Sequence, residues 1–323
     1  MRLSPNMDFY SDHSFLETDH QKFEQYLAMV QRALGANRSI VGVIEIGSYA
    51  KGEAVPESDA DTRIYATAPD AYLRLTMGRI HQSQSRMEVM DQAYARLEKE
   101  QGSLPVESRT WEDFSQPLSE ALLREFGRPI DVGYTDARLV DLLLRDPGLG
   151  ALPDFDLLQQ SNVLYDPQGV LAGWKERLRG RKPPEIETFY RSRYLDALPF
   201  EIYGNLGADH ADVYKLTHGG QIQWVKWAVR SLRDAVATKT WMQTGTFVYR
   251  KDDVLRWYQE HLPARFPFVR QIYRLKIDPL ERKQLAERFL ANAQECFAQF
   301  RSYMPELEQT VKEVGETESL PRI

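Results

Sequence analysis

Two different hydrophobic periods follow one another at the start of the chain. Residues 14–35, SFLETDHQKFEQYLAMVQRALG, have the period of an amphipathic helix, and Gly35 is a typical helix stop. The runs SIVGVIEIG and TRIYAT are rich in β-branched residues and predict two strands. The predicted apolar face of the helix consists of Phe23, Leu27, Val30 and Leu34.

Helical and extended patterns then alternate up to about residue 170. RMEVMDQAYARLEKEQG and LSEALLREFG have helical period, whereas LPVESRTW and RPIDVGYT look extended, and NVLYDPQGV adds a short strand and a turn. The paired prolines of RGRKPPEIE predict a linker. We therefore expect an α/β (α+β) domain with a short mixed sheet over residues 1–170, followed by an all-helical domain over residues 171–323.

The helical domain is predicted from its long apolar stripe. Gly219 and Gly220 interrupt this stripe, which indicates close packing or a kink. The stripe consists of Val213, Leu216, Val225, Val229, Leu232 and Val236.

Composition fits two globular domains. The chain has 323 residues, of which 42% are hydrophobic and 27% charged. No apolar run reaches about 18 residues and the N-terminal residues do not resemble a signal peptide, so we expect a cytoplasmic protein with no membrane span. The single cysteine, Cys296, is interpreted as a core thiol.

Charge is distributed unevenly. Residues 1–170 hold 16 basic and 27 acidic residues, a net charge of −11, whereas residues 171–323 hold 25 and 20, a net charge of +5. A metal-binding acidic half and a polyphosphate-binding basic half would produce this, but so would two unrelated solvated surfaces.

The segment EIGSYAKGEAVPESDADTRIYAT carries the candidate chemistry. Asp59 and Asp61 are two positions apart at the start of a predicted strand, so their carboxylates share a face. Two carboxylates so close are costly without a cation, and hard oxygen ligands favour Mg²⁺. Gly47 allows a substrate to approach the backbone, and the Ser48 hydroxyl is suited to phosphate oxygens.

These residues resemble the nucleotidyltransferase superfamily of the DNA polymerase β type. Its signature is Gly-Ser, a spacer, Asp-x-Asp and a third carboxylate on a later strand, which Asp131 in PIDVGY matches. The resemblance covers roughly residues 40–135 and implies two Mg²⁺ ions, held by Asp59, Asp61 and Asp131, with ATP as co-substrate. It also implies that Ser48 and Lys51 bind the triphosphate; an exposed lysine such as Lys51 is otherwise simply solvated.

Two features depart from the family pattern. Arg63 stands beside the Asp-x-Asp pair, where the family often has apolar residues, and we expect it to face away from the metals. The interval between Asp61 and Asp131 is long, and Asp136 competes with Asp131 for the third position. Asp136 lies at a predicted strand end, where capping a helix is the simpler role.

The helical attachment resembles that of antibiotic nucleotidyltransferases, which adenylylate aminoglycosides or lincosamides and thereby confer antibiotic resistance. SNVLYDPQG is similar to a segment that follows the catalytic core in such proteins. The resemblance implies transfer of AMP to a hydroxyl of a small molecule, with release of pyrophosphate. Glu201, Asp209 and Asp212 are candidates for the base or for binding substrate amines, and each is alternatively a cap or a surface charge.

The basic segment KERLRGRK leaves other functions open. We expect Arg179, Arg181 and Lys182 to bind the triphosphate. The same residues would also suit RNA, so adenylylation of a protein or nucleotide transfer to RNA or tRNA, as in toxin-like relatives, is the alternative. A noncatalytic nucleotide-binding module is a further alternative, which the three carboxylates disfavour.

Overall fold

The described part of the chain forms two compact units. A computed structural model describes residues 20–50, 60–67, 95–100, 102, 111–145, 158–159, 161–179, 215–216, 221–245 and 247–317. Internal contacts divide the chain into residues 2–181 and residues 182–323. None of the described helices is long and apolar enough to cross a membrane.

The first unit is built around a mixed four-stranded sheet with the order β3-β2-β1-β4. Strand β1 is antiparallel to β2 and β4, whereas β3 is parallel to β2. Residues 95–100 are also helical. The elements are α1 (His20–Leu34), β1 (Ser39–Ile46), α2 (Gly47–Ala50), β2 (Ala60–Thr67), α3 (Trp111–Phe126), β3 (Ile130–Asp136), α4 (Ala137–Arg145), β4 (Asn162–Tyr165) and α5 (Val170–Leu178).

One face of this sheet packs against α1 and α3. Alternate strand residues such as Val43, Ile64 and Val132 point into this core, which is what the period of two in a strand requires. Helix α1 contributes Tyr26, which is fully buried, whereas the predicted core residue Leu27 is only half-buried. The rest of the predicted apolar face is confirmed, and the buried residues of α1 are Phe23, Tyr26, Val30 and Leu34.

The other face is covered at one end by α4 and α5. The Trp174 ring meets the Tyr65 ring edge-on at a centroid distance of 5.2 Å. A Cβ on Gly42 would lie 2.5 Å from Leu171 Cδ1, so the missing side chain at Gly42 allows α5 to approach β1. The opposite end of this face carries the candidate functional residues.

The segment SNVLYDPQG forms β4 and the turn that begins α5. The Gly169 N–H donates to the Asp166 backbone oxygen at 3.2 Å, and Gly169 has a φ of +70°. The Ala172 N–H donates to Asp166 Oδ2 at 2.9 Å, which satisfies a donor in the first turn of α5. In the structure this segment therefore pairs with β1 and orients α5.

The second unit is helical. Its helices share one core, in which the Trp224 and Phe300 rings stack at 4.5 Å. In the described part of the predicted stripe the helix begins at Gln223, and Leu216 instead pairs with Ile222 in an isolated bridge; Val213, Gly219 and Gly220 lie outside the described residues. The helices are α6 (Gln223–Thr244), α7 (Lys251–His261), α8 (Phe266–Ile277), α9 (Pro279–Ala291) and α10 (Ala293–Glu316). The expected α+β architecture followed by helices is thus confirmed at this level.

An ion pair links the start of α8 to the end of α10 and predicts a pH dependence of stability. Arg265 donates to both Glu313 carboxylate oxygens, at 2.9 Å and 2.6 Å. The hydrogen bonds from Arg265 lower the pKa of Glu313 from 4.5 to about 2. The unfolded carboxyl therefore takes up its proton first as the pH falls, so the stabilisation is complete above pH 4.5 and is lost towards pH 2.

Urea unfolding of Glu313→Gln should show this. The variant should be less stable than wild type at neutral pH, and the difference should shrink as the pH falls from 4.5 towards 2. Glu287→Gln is the matched control, because Glu287 pairs with Lys283 on the exposed surface of α9 and should contribute little. A difference for Glu313→Gln that does not vary with pH would contradict this account of the ion pair.

Candidate functional site

Three strand ends meet where the two described aspartates lie. In the strand register Ile46 of β1 is opposite Asp61 of β2, and Asp61 is opposite Asp131 of β3. Neighbouring strands are about 4.8 Å apart, so the two carboxylates start from adjacent backbone positions on one face. The structure therefore brings together two of the three predicted metal ligands.

Strand alternation keeps these carboxylates out of the core. Ala60 and Ile130, which directly precede the two aspartates, are both buried in the core between the sheet and its helices. Asp61 is half-buried and Asp131 is exposed, on the opposite face. This arrangement follows from the period of two in a strand, once β2 and β3 are paired in this register.

Gly47 is in direct contact with Asp61. Its φ is +74°, and a Cβ at this position would lie 2.0 Å from Asp61 Oδ2. The Asp61 carboxylate thus occupies the space that any other residue at position 47 would fill. Ser48 follows in the short helix α2 and is half-buried, whereas Tyr49 anchors this helix in the core.

The backbone of Asp131 is held from the core side of the sheet. Thr62 Oγ1 donates to the Asp131 backbone oxygen at 3.1 Å, and the Tyr26 hydroxyl lies 2.7 Å from Thr62 Oγ1. Burial raises the pKa of the Tyr26 phenol. Tyr26 therefore keeps its proton across the ordinary pH range.

Arg63 lies on the same face of the sheet as the two carboxylates, whereas we expected it to face away from the metals. It is two positions after Asp61, so it lies on the same face of the sheet. Its side chain crosses β3 at Gly133, where a Cβ would be 2.7 Å from Arg63 Nε, and Arg63 Nη1 donates to Thr135 Oγ1 at 3.1 Å. The expectation was wrong for the face of the sheet, because residues two apart in a strand share a face, but the guanidinium does extend along β3 towards Thr135, away from Asp131.

Asp136 has the capping role that its position indicated. It ends β3 and is fully buried, and its Oδ1 accepts from the Arg138 N–H at 3.0 Å. The Arg138 guanidinium also pairs with its Oδ2 at 2.6 Å. Asp136 is thus engaged at the far end of β3 from Asp131.

The described basic residues of KERLRGRK contact neighbours within the first unit. Lys175 Nζ donates to the Ser161 backbone oxygen at 2.7 Å, and burial lowers the pKa of Lys175. Arg177 pairs with Asp141 at 3.4 Å, and the exposed Arg179 pairs with Glu176 at 2.8 Å. A role of Arg179 in binding nucleotide stays a prediction.

Several predicted site residues lie outside the described residues. Asp59 precedes the first described residue of β2 by one position. Within the described ranges, no cluster of three histidine, cysteine, aspartate or glutamate side chains is suited to a metal ion. The predicted residues about which the structure gives no information are Lys51, Asp59, Arg181, Lys182, Glu201, Asp209 and Asp212.

The sequence analysis missed a set of buried polar residues behind the site. Glu45 is fully buried and lies opposite Thr62 in the strand register, and Asn162 Nδ2 donates to its carboxylate at 3.4 Å. A glutamate inside the apolar run SIVGVIEIG was the signal available in the sequence, because a buried carboxylate requires polar partners. For Thr62 the available signal was its position on the core face of the predicted strand β2, where a polar side chain also requires a hydrogen-bond partner.

Comparison with known proteins adds no identification. No model of a known protein family matches the chain, and no curated protein matches it with significance.

Gly47→Ala should be more disruptive than Gly35→Ala. Both glycines have a positive φ, of +74° and +87°, so both alanine variants should lose about 1 kcal/mol from backbone strain. Only at Gly47 must the new methyl group also displace the Asp61 carboxylate; among the described residues no atom lies within 4 Å of a Cβ at Gly35. Urea unfolding should therefore show a larger loss for Gly47→Ala.

A second background isolates this contact. In an Asp61→Ala chain the Gly47→Ala substitution should cost less than it does in wild type, because the carboxylate is gone and only the Cβ at position 61, 3.2 Å away, remains near the new methyl group. Equal costs of Gly47→Ala in the two backgrounds would contradict the contact between Gly47 and Asp61.

Proposed function

We propose that this chain is a Mg²⁺-dependent nucleotidyltransferase that moves AMP from ATP to a hydroxyl of a small-molecule acceptor and releases pyrophosphate. The observation that carries the proposal is the register of β2 and β3, which makes Asp61 and Asp131 neighbours. The contact of the Asp61 carboxylate with Gly47 supports it further. Gly47, Asp61 and Asp131, three residues of the sequence pattern, thereby lie at one end of the sheet.

The donor set fits Mg²⁺. Two carboxylates on adjacent strands repel each other unless a cation lies between them, and carboxylate oxygens are the ligands that Mg²⁺ prefers. Asp59, Asp61 and Asp131 would hold one ion, and Asp59 and Asp61, together with triphosphate oxygens, would hold a second. Bound there, Mg²⁺ supplies neutralisation of phosphate charge and a lower pKa of the acceptor hydroxyl.

The chain's own residues then bind and orient the triphosphate. Gly47 presents backbone without a side chain next to Asp61, so a phosphate group is able to approach closely there. The Ser48 hydroxyl and Lys51 are the proposed phosphate contacts, with Arg179, Arg181 and Lys182 as further cations. The acceptor oxygen bonds to the α-phosphorus in line, the bond to pyrophosphate breaks, and the hydroxyl proton passes to a base, for which Glu201, Asp209 and Asp212 are candidates.

A small-molecule acceptor is favoured over RNA by charge. The net charge of the chain is −6, which opposes tight binding of a phosphate backbone and suits a cationic aminoglycoside. In the described part of KERLRGRK, Lys175, Arg177 and Arg179 each already contact a neighbouring group. The contact of the half-buried Lys175 with the Ser161 backbone removes one cation from what the segment offers to a nucleic acid.

The direct experiment incubates the whole chain with ATP labelled on the α-phosphate and Mg²⁺. The panel of acceptors contains aminoglycosides, lincosamides, tRNA and the protein itself. We expect label in an antibiotic together with pyrophosphate release. Label in tRNA or protein would favour the alternative acceptor, and ATP binding with no transfer to any acceptor would favour a noncatalytic module.

Asp61→Asn and Asp131→Asn should both abolish transfer without unfolding the chain, because each removes a ligand and neither side chain lies in the core. Asp131→Asn should retain ATP binding, since the metal on the triphosphate side needs only Asp59 and Asp61. Thermal unfolding and ATP titration accompany the transfer assay.

Asp252→Asn serves as the control for these substitutions. Asp252 is an exposed aspartate in the first turn of α7, and its replacement should leave transfer unchanged. Wild-type turnover in both Asp61→Asn and Asp131→Asn would overturn the assignment of the site. Loss of ATP binding in Asp131→Asn would overturn the division of labour between the metals.

A further inference from the structure

A hydrogen-bonded chain of buried groups runs from α1 through β2 to the backbone of Asp131. Tyr26 and Thr62 are 0% and 1% exposed. Thr62 Oγ1 has one hydrogen, which it donates to the Asp131 backbone oxygen at 3.1 Å. The contact of 2.7 Å between Tyr26 and Thr62 must therefore have the Tyr26 hydroxyl as donor.

The hydrogen bonds that begin at Tyr26 end near the start of an outermost strand of the described sheet. In the described sheet β3 is an outermost strand, so β2 is its hydrogen-bonded neighbour on one side only. Asp131 is the second residue of β3, and ends of edge strands open at low free-energy cost. A side-chain bond from Thr62 adds to the backbone ladder there.

Thr62 links the backbone segments that carry the two carboxylates. It directly follows Asp61 in β2, and its hydroxyl holds the main chain of Asp131 in β3. A shift of Thr62 would therefore change the position of one aspartate relative to the other. Tyr26 fixes Thr62 from α1, which is itself anchored in the core by Val30 and Leu34.

We propose that Tyr26 and Thr62 are positioning residues that set the separation of the Asp61 and Asp131 carboxylates, and thereby the affinity of the site for a divalent cation. This inference rests on the proposed function, because it assumes that the two carboxylates share an ion. Groups that orient metal ligands from behind commonly affect metal affinity strongly.

Binding of Mn²⁺ to the whole chain, without nucleotide, measures the effect. Tyr26→Phe and Thr62→Val each remove one hydroxyl and keep the shape of the side chain. Both should weaken Mn²⁺ binding about 10-fold, as measured by electron paramagnetic resonance. Thr62→Ser retains the hydroxyl and, unlike Thr62→Val, should bind Mn²⁺ with an affinity close to that of wild type.

The double variant tests whether the two residues act as one chain. Tyr26→Phe with Thr62→Val should bind Mn²⁺ no more weakly than Thr62→Val alone, because Tyr26 acts only through Thr62. Additive losses would overturn the relay from Tyr26.

Two matched variants in the second unit control for lost stability. The buried Tyr258 hydroxyl donates to the Leu232 backbone oxygen at 3.0 Å, and the buried Thr310 Oγ1 donates to the Glu306 backbone oxygen at 2.6 Å. Tyr258→Phe and Thr310→Val should lower the unfolding free energy but leave Mn²⁺ affinity unchanged.

The results separate this inference from the proposed function. If Tyr26→Phe and Thr62→Val lower stability like the controls and leave Mn²⁺ affinity unchanged, the pair is only structural and the inference fails, while the site stands. If wild type binds no Mn²⁺, the proposed function fails and the inference with it. Should Thr62→Val not fold, Tyr26→Phe and Thr62→Ser decide the question.

Discussion

The parallel pairing of β2 with β3 is the contact on which the candidate site depends. It places Asp61 beside Asp131, which comes from a distant part of the sequence. Thr62, the residue after Asp61, is 69 positions from Asp131. A slip of one residue would turn one carboxylate towards the core and bring Ala60 or Thr62 to the surface, at a large cost in buried charge. The burial of Ile130 and Val132 on either side of Asp131 opposes such a slip, so the packing of the core also specifies the geometry of the site.

Two glycines also shape the site, because each leaves room for a neighbouring side chain. Gly47 leaves room for the Asp61 carboxylate, and Gly133 leaves room for Arg63 to cross β3. The Arg63 guanidinium lies on the same face as the two aspartates and extends along β3 to Thr135. Helices α4 and α5 cover the remainder of this face, where Trp174 packs on Tyr65, and thereby confine the polar groups to one end.

Local pattern was sufficient to predict the elements, but not the contacts between them. The helical face of α1, the stop at Gly35 and the strands β1 and β2 follow from period and turn chemistry in the sequence. Tyr26 was not expected in the core, because a buried hydroxyl needs a hydrogen-bond partner. Its partner is Thr62, and that contact depends on how α1 packs on the sheet. The neighbour of Asp61 likewise depends on strand order, which no local pattern encodes. The placement of Arg63 was predictable from alternation alone and should have been expected.

The central claim is that Asp61 and Asp131 bind one divalent cation together, and a double-mutant cycle of Mn²⁺ affinity tests it most directly. Isothermal titration would compare wild type with Asp61→Asn, Asp131→Asn and the variant that carries both substitutions. The account predicts that each single substitution weakens binding strongly and that the double variant loses much less than the sum of the two losses. Strictly additive losses, or unchanged affinity in either single variant, would contradict it.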